Sequence, residues 1–152
     1  MRLEILAIGR ARAGPERTLY ETYAGRLVWP VALREFEEKR RLPPAELKNR
    51  ESAMLLEALP RDAVLVALDE AGHALSSEDF AGRLGAWRDE ARATVAFVIG
   101  GAGGLTDEVR DRANLLLAFG RQTWPHMLVR AMLMEQIYRA QQILAGHPYH
   151  RG

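Results

Sequence analysis

Apolar residues in this chain fall into short continuous runs, separated by longer stretches in which they recur every three or four positions. Leu3, Ile5, Leu6 and Ile8 form the first run, which Gly9 ends. Gly14-Pro15 then leads into a helical pattern over about 16–27, closed by Trp29-Pro30. Positions 31–36 predict a second strand, and Pro43-Pro44 opens a helix that runs to Leu59, with Pro60 as its stop. The almost wholly apolar run 63–68 predicts a third strand. Ser76 and Ser77 ahead of Glu78 and Asp79 mark a helix start, with acids placed to complement the positive end of the helix dipole, and that helix continues to about Arg92. Positions 94–99 form the fourth strand. A short helix from Thr106 and a fifth strand over 115–119 follow, then a long helix over 126–144 with Thr123 as its cap and Pro125 in its first turn.

Strands that are apolar throughout are buried on both faces, and strands alternating with helices give parallel pairing. The expected fold is therefore α/β, a mainly parallel sheet with helices on both faces, in a single domain over 1–152. The last helix carries two apolar stripes. Met127, Ala131, Met134 and Tyr138 mark one, and Leu128, Met132, Leu133, Ile137, Ala140 and Leu144 the other. Two faces call for two partners, the sheet and a second copy of the chain, which favours a homodimer.

Composition narrows the chemistry. Apolar residues make up 48% of the 152 and charged residues 27%, enough for a core and too few charges for disorder. The formal charge of +1 sets up no global field for nucleic acid, although the segment after Phe119 holds Arg121, Arg130, Arg139 and Arg151 against Glu135 alone. Without cysteine there are no disulfides, no thiolate nucleophile and no thiolate metal site. The histidines at 73, 126, 147 and 150 lack a carboxylate-supported ligand set, so no metal is expected. The first residues run straight into a strand pattern and no apolar stretch reaches membrane-spanning length, which points to a cytoplasmic protein with no membrane partner.

Three strand ends converge on one edge of such a sheet, where open parallel sheets bind ligands. The first is Gly100-Gly101-Ala102-Gly103-Gly104, whose spacing matches neither a dinucleotide fingerprint nor a P-loop. The second is the loop Phe119-Gly120-Arg121-Gln122-Thr123-Trp124-Pro125-His126, and the third is Leu68-Asp69-Glu70-Ala71-Gly72. Together they suit a small ligand with a planar heteroaromatic part read by backbone groups. The chain then ends in His147-Pro148-Tyr149-His150-Arg151, a dense group of proton-transfer and anion-binding side chains behind a long helix.

Gly100-Gly101-x-x-Gly104-Leu105, Thr123-Trp124-Pro125-His126-Met127-Leu128-Val129-Arg130, Glu135-Gln136-x-Tyr138-Arg139-Ala140 and the closing His147 to Arg151 come in an order and spacing that resembles the RlmH-type SPOUT methyltransferases. That resemblance, to the 23S rRNA (pseudouridine-N3)-methyltransferase family, runs from the first strand to the end of the chain. It implies a C-terminal trefoil knot, an obligate homodimer, and S-adenosylmethionine held by Leu68, Gly100, Phe119, Gly120, Arg121, Gln122, Thr123 and Trp124. It further implies methyl transfer to N3 of a pseudouridine in 23S rRNA of the assembled ribosome, with His150 handling the proton, Tyr149 positioning the base and Arg151 holding charge or phosphate. His126 and Arg130 stand as residues that shape the site. Two other functions remain open from sequence: a SPOUT methyltransferase acting on another RNA nucleotide, and a non-catalytic ribosome-associated RNA-binding module.

Overall fold

The computed structural model describes residues 1–151, so the last position of the expected 1–152 domain, Gly152, lies outside the described residues. Its elements are β1 (Arg2–Ile8), α1 (Pro15–Ala24), β2 (Val31–Phe36), α2 (Pro44–Glu57), β3 (Val64–His73), α3 (Ser77–Asp89), β4 (Thr94–Ile99), α4 (Asp107–Arg112), β5 (Leu115–Leu117), α5 (His126–Leu144) and a terminal 3₁₀ turn, Pro148–Arg151. The five strands lie in the order β2-β1-β4-β3-β5, every neighbouring pair parallel.

Alternate residues of the strands feed two cores. Leu3, Ile5, Val66, Phe97 and Leu117 pack under α1, α3 and α5, with Tyr20, Phe80, Leu84, Leu133 and Ile137. Leu6, Leu65, Ala96 and Val98 face the other way, against Leu55 of α2 and Val109 of α4. Phe97 is fully buried at the centre, where a side chain of its size contributes about 1.5–3 kcal/mol by leaving water.

Several elements differ from the pattern in the sequence, α2 ending at Glu57 instead of Leu59 and α3 at Asp89 instead of about Arg92 among them. The first helix stops at Ala24 instead of Leu27, because Arg26 and Leu27 bond back three residues to Tyr23 and Ala24 in tight turns. β3 does not end at Leu68 but continues to His73, which is exposed. Its register against β5 shifts between Leu68 and His73. β5 ends at Leu117 instead of Phe119, the next amide, Ala118, bonding to the His73 carbonyl at 3.0 Å. At the start of α5 the cap position belongs to Pro125, while the Thr123 hydroxyl donates to Glu70 Oε2 at 2.7 Å. Ser76, by contrast, caps α3 as expected, accepting from the Asp79 amide at 3.0 Å.

α5 also buries one broad face, not two. Ala131, Leu133, Met134, Ile137 and Ala140 are buried together, and Met127, Leu128 and Met132 are half-buried at its flank. Two features carried by different stripes in the sequence merge because the helix lies in a groove between α1 and α3.

The topology positions the site. β4 leaves the sheet toward α4 on one face, whereas its neighbours β1 and β3 leave toward α1 and α3 on the other. The loops diverge there and open a crevice at the carboxyl end of β4.

Candidate active site

That crevice is a cavity of about 640 Å³, walled by the three strand ends. Ile99 and the glycine loop 100–104 form one side. Gly104 bonds back to the Gly101 carbonyl at 3.0 Å and needs a left-handed φ of 80°, a conformation only glycine adopts freely. A methyl on Gly100 would lie 3.0 Å from the Gly104 carbonyl oxygen, so the loop folds back on itself as tightly as backbone allows. Behind it stands Glu51 of α2: a methyl on Gly101 would come within 2.9 Å of its Oε1, and burial pushes the Glu51 carboxyl above its usual range.

The second wall is the 119–125 loop, which is pinned at both ends. Trp124 Nε1 donates to the Phe119 carbonyl at 2.9 Å, and Thr123 ties the loop to Glu70 at the end of β3. Gly120 takes a positive φ of 88° at the corner. Asp69, on the third wall, receives Arg110 Nε from α4 at 2.7 Å and the Ala71 amide at 2.8 Å. The Asp69 side chain is 5% exposed, so this pair is partly desolvated and holds α4 to the end of β3. Leu68, Leu105, Leu117 and Val129 add apolar wall.

Of the residues expected to touch a cofactor, Leu68, Gly100, Phe119, Gly120, Gln122, Thr123 and Trp124 line this cavity. Arg121 does not; it is exposed on the outer side of the loop. His126 lines the cavity from the start of α5, but Arg130, one turn further on, does not. Arg130 is 2% exposed and donates to Glu35 Oε2 at 2.6 Å and to the carbonyls of Ile8 and Gly9 at 3.1 and 2.8 Å, so it is neither solvated nor part of this cavity. Arg110 was missed in the sequence, where an arginine on a short helix carries no signal of a partner 41 positions away.

The terminal residues sit elsewhere. Tyr149 donates to Glu135 Oε1 at 3.0 Å and packs edge-on against Tyr138 at 4.8 Å, with Arg139 over its ring at 4.9 Å. Arg139 also holds Glu135, at 2.6 Å, and reaches His150 Nδ1 at 3.2 Å. The other ring nitrogen of His150 meets Glu78 Oε1 of α3 at 2.9 Å. Burial, then the contacts with Tyr23 and Glu135, raise the Tyr149 phenol above its ordinary value, so it is a neutral donor. Arg151 is exposed. Glu135 and Arg139 lie about 13 and 20 Å along the α5 axis from His126, by the 1.5 Å rise per residue. Within one chain, His150, Tyr149 and Arg151 are thus not brought to the glycine-walled cavity.

Among the described residues no group of three or more His, Cys, Asp or Glu side chains could hold a metal ion, and no helix is long and apolar enough to cross a membrane.

Relatives of known kind share this chain's full length. The family profile described as "Predicted SPOUT methyltransferase" matches residues 1–150. "Ribosomal RNA large subunit methyltransferase H" of Rhodospirillum centenum is 65% identical over 151 residues, 99% of either chain. The protein of the same name from Paramagnetospirillum magneticum is 58% identical over 151 residues, again 99% of either chain. Among solved structures, the SpoU methyltransferase AviRb from Streptomyces viridochromogenes in complex with the cofactor AdoMet aligns with a TM-score of 0.46 and 14% identity, over 95% of this chain and 61% of that one.

Proposed function

The chain belongs to the SPOUT methyltransferase family, and from that premise we propose that it moves the sulfonium methyl of S-adenosylmethionine to N3 of a pseudouridine in 23S rRNA of the assembled ribosome. At the coarser level it is a large-subunit ribosomal RNA methyltransferase. The observation that carries the site assignment is the glycine-walled cavity at the end of β4, where a turn whose one side chain is the Ala102 methyl and a loop closed by Trp124 border a space of about 640 Å³.

The residues present fit S-adenosylmethionine. The volume lies within the range of about 300–1,000 Å³ usual for cofactor pockets. The walls combine apolar side chains with backbone donors and acceptors, and a Cβ on Gly100 would crowd the turn that forms one of them. Leu68, Gly100 and the backbone of 119–124 would hold the cofactor; Arg121 would contribute main chain alone, given its outward side chain. When bound, the cofactor supplies an electrophilic methyl on sulfur.

The protein must then deal with the imide N3–H, which is protonated at neutral pH. His150 takes that proton in this proposal once its Nε2 leaves Glu78, while Tyr149, whose own proton is held by Glu135, positions the base. Arg151 offers positive charge to the developing anion or a phosphate. Because the tail of one chain rests on the far half of its own α5, we propose a homodimer in which the tail of one copy serves the cavity of the other. The family's C-terminal trefoil knot and a cytoplasmic location are part of the same proposal.

The deciding experiment is mass spectrometry of ribosomal RNA from a strain lacking the gene, with and without complementation. Loss of one methyl-pseudouridine, restored on complementation, is the expected result. Loss of a different methylated nucleotide would redirect the activity, and no change together with no calorimetric binding of S-adenosylmethionine would leave a non-catalytic module.

A further inference from the structure

One cavity takes no part in that chemistry. On the same edge of the sheet, over the ends of β1 and β2, a second hollow of about 600 Å³ is bounded by residues 10–13, one face of α1 from Glu16 to Glu21 and the start of α5. Only the first turn of α5 divides it from the glycine-walled cavity, since His126 and Val129 line that one while Met127 and Arg130 line this.

Two of its lining side chains are buried and incompletely bonded. Arg130 spends its terminal nitrogens on Glu35, Ile8 and Gly9, but its Nε has no hydrogen-bond partner, nor has the hydroxyl of Tyr20. They are 2% and 8% exposed. Both groups can donate, and a buried donor left unpaired is unfavourable. At the rim, Arg12 is exposed and in no ion pair among the described residues, while Arg17 shares Glu21 at 2.9 Å. Four arginines and three glutamates line the hollow, and two of those glutamates, Glu21 and Glu35, are already neutralised by Arg17 and Arg130. The floor lacks an acceptor, and of the lining charges only Arg12 and Glu16 stand outside an ion pair among the described residues, Arg10 being held by Glu37 at 3.5 Å; a phosphodiester oxygen supplies the missing acceptor and a partner for Arg12.

We propose that this hollow is a second RNA contact, which holds a phosphodiester of the substrate strand next to the target nucleotide while the target base enters the neighbouring cavity. The proposal rests on the RNA methyltransferase function proposed above. It gives a chain of near-zero net charge a localised grip on RNA at the place where grip is needed.

Tyr20→Phe and Arg12→Gln test it. The first deletes a hydroxyl that bonds nothing in the free protein and keeps the ring in the core; the second removes an exposed charge, so both variants retain the fold. Methylation is followed with large ribosomal subunits from a strain lacking the methyl group, across subunit concentration and salt. Direct sedimentation binding to the same subunits, calorimetry with S-adenosylmethionine and solution molecular weight run alongside. Each variant is expected to weaken subunit binding about three- to tenfold with cofactor affinity retained, and Arg12→Gln to lower the slope of log affinity against log salt by about one. Wild-type subunit affinity in Tyr20→Phe overturns the proposal, even if Arg12→Gln binds less well, because rim charge alone attracts RNA anywhere. A loss of cofactor binding, or a changed oligomeric state, also overturns it, by placing the hollow in the cofactor pocket or in a protein interface. Should the wild type bind subunits without methylating them, the proposed reaction fails while sedimentation still decides the phosphate contact.

Discussion

Alanine at position 100 would place a methyl 3.0 Å from the Gly104 carbonyl oxygen, 3.0 Å from Leu105 Cδ2 and 3.1 Å from the Gly104 carbonyl carbon. Ordinary contact begins at 3.4 Å, so the turn must yield by 0.4 Å, the difference between 3.4 and 3.0. Two of the three neighbours are backbone and cannot rotate aside, and the bond from the Gly104 amide to the Gly101 carbonyl resists opening. Overpacking of this kind costs about 1–3 kcal/mol, and weakening the turn's hydrogen bond adds about 1 kcal/mol. The combined loss of about 2–4 kcal/mol in a chain of this size lowers Tm by roughly 4–16 °C. Gly103 is the internal control, since a methyl there would meet only Lys48 Cβ, at 3.8 Å. Thermal unfolding and calorimetric titration with S-adenosylmethionine measure both consequences. Gly100→Ala is expected to bind at least tenfold more weakly, about 1.4 kcal/mol; Gly100→Val is expected not to bind, and Gly103→Ala to match the wild type. Equal damage at 100 and 103, or wild-type affinity in Gly100→Val, would refute the steric account of the cavity wall.

His150→Ala is expected to cut turnover about 10²-fold, a typical acid–base contribution, with S-adenosylmethionine affinity within about twofold of wild type, because His150 is proposed to meet the imide of the RNA base and not the cofactor; single-turnover kinetics with calorimetry check it. Glu35 is held below its ordinary pKa: burial pushes it up, but the Ala11 amide and the hydrogen bond and charge of Arg130 outweigh that. Its stabilising effect is therefore present above 4.5, the unfolded value, and lost as pH falls through the lowered folded value. Urea unfolding from pH 7 to 3 is expected to show the stability gap between wild type and Glu35→Gln closing below 4.5. Glu51 has the opposite sign, since burial raises its pKa; its stability is present below 4.5 and lost as pH rises through the raised folded value, and Glu51→Gln is expected to remove that loss. Gly72→Ala would press a methyl to 2.7 Å from the carbonyl carbon and oxygen of Leu116, and is expected to cost about 1–3 kcal/mol in the same unfolding assay, as overpacking against immovable backbone does.

Much of this fold was legible because a strand buried on both faces reads as an unbroken apolar run, as 64–67 and 95–99 do, and because Ser76 and Pro44 mark helix starts by local chemistry alone. The glycine loop was legible as a site for a related reason: a tight strand-to-helix turn needs one or two glycines, and the four at 100, 101, 103 and 104 leave the Ala102 methyl as the turn's one side chain. Pairings across the fold were not. Asp69 with Arg110 and Glu35 with Arg130 join residues 41 and 95 positions apart, and nothing near either partner announces the other. The tail was legible as chemistry and not as geography, since its place is set by Glu135, Arg139 and Glu78, whose side chains come together only once α3 and α5 are side by side. Thr123 misled for the same reason: a hydroxyl three residues before a helix looks like a cap, and Glu70, a carboxylate in the second half of β3, claimed it instead.

Trp124 stands at the mouth of the glycine-walled cavity, 38% exposed, its indole nitrogen tethered to Phe119, while Trp87 is shut in the core and Trp29 packs half-buried against it. Indole emission depends on surrounding water, and a ligand entering beside this ring displaces it. The enzyme thus carries a built-in optical gauge of pocket occupancy, readable without any label, and removable by Trp124→Phe to leave the two remaining indoles as a constant background.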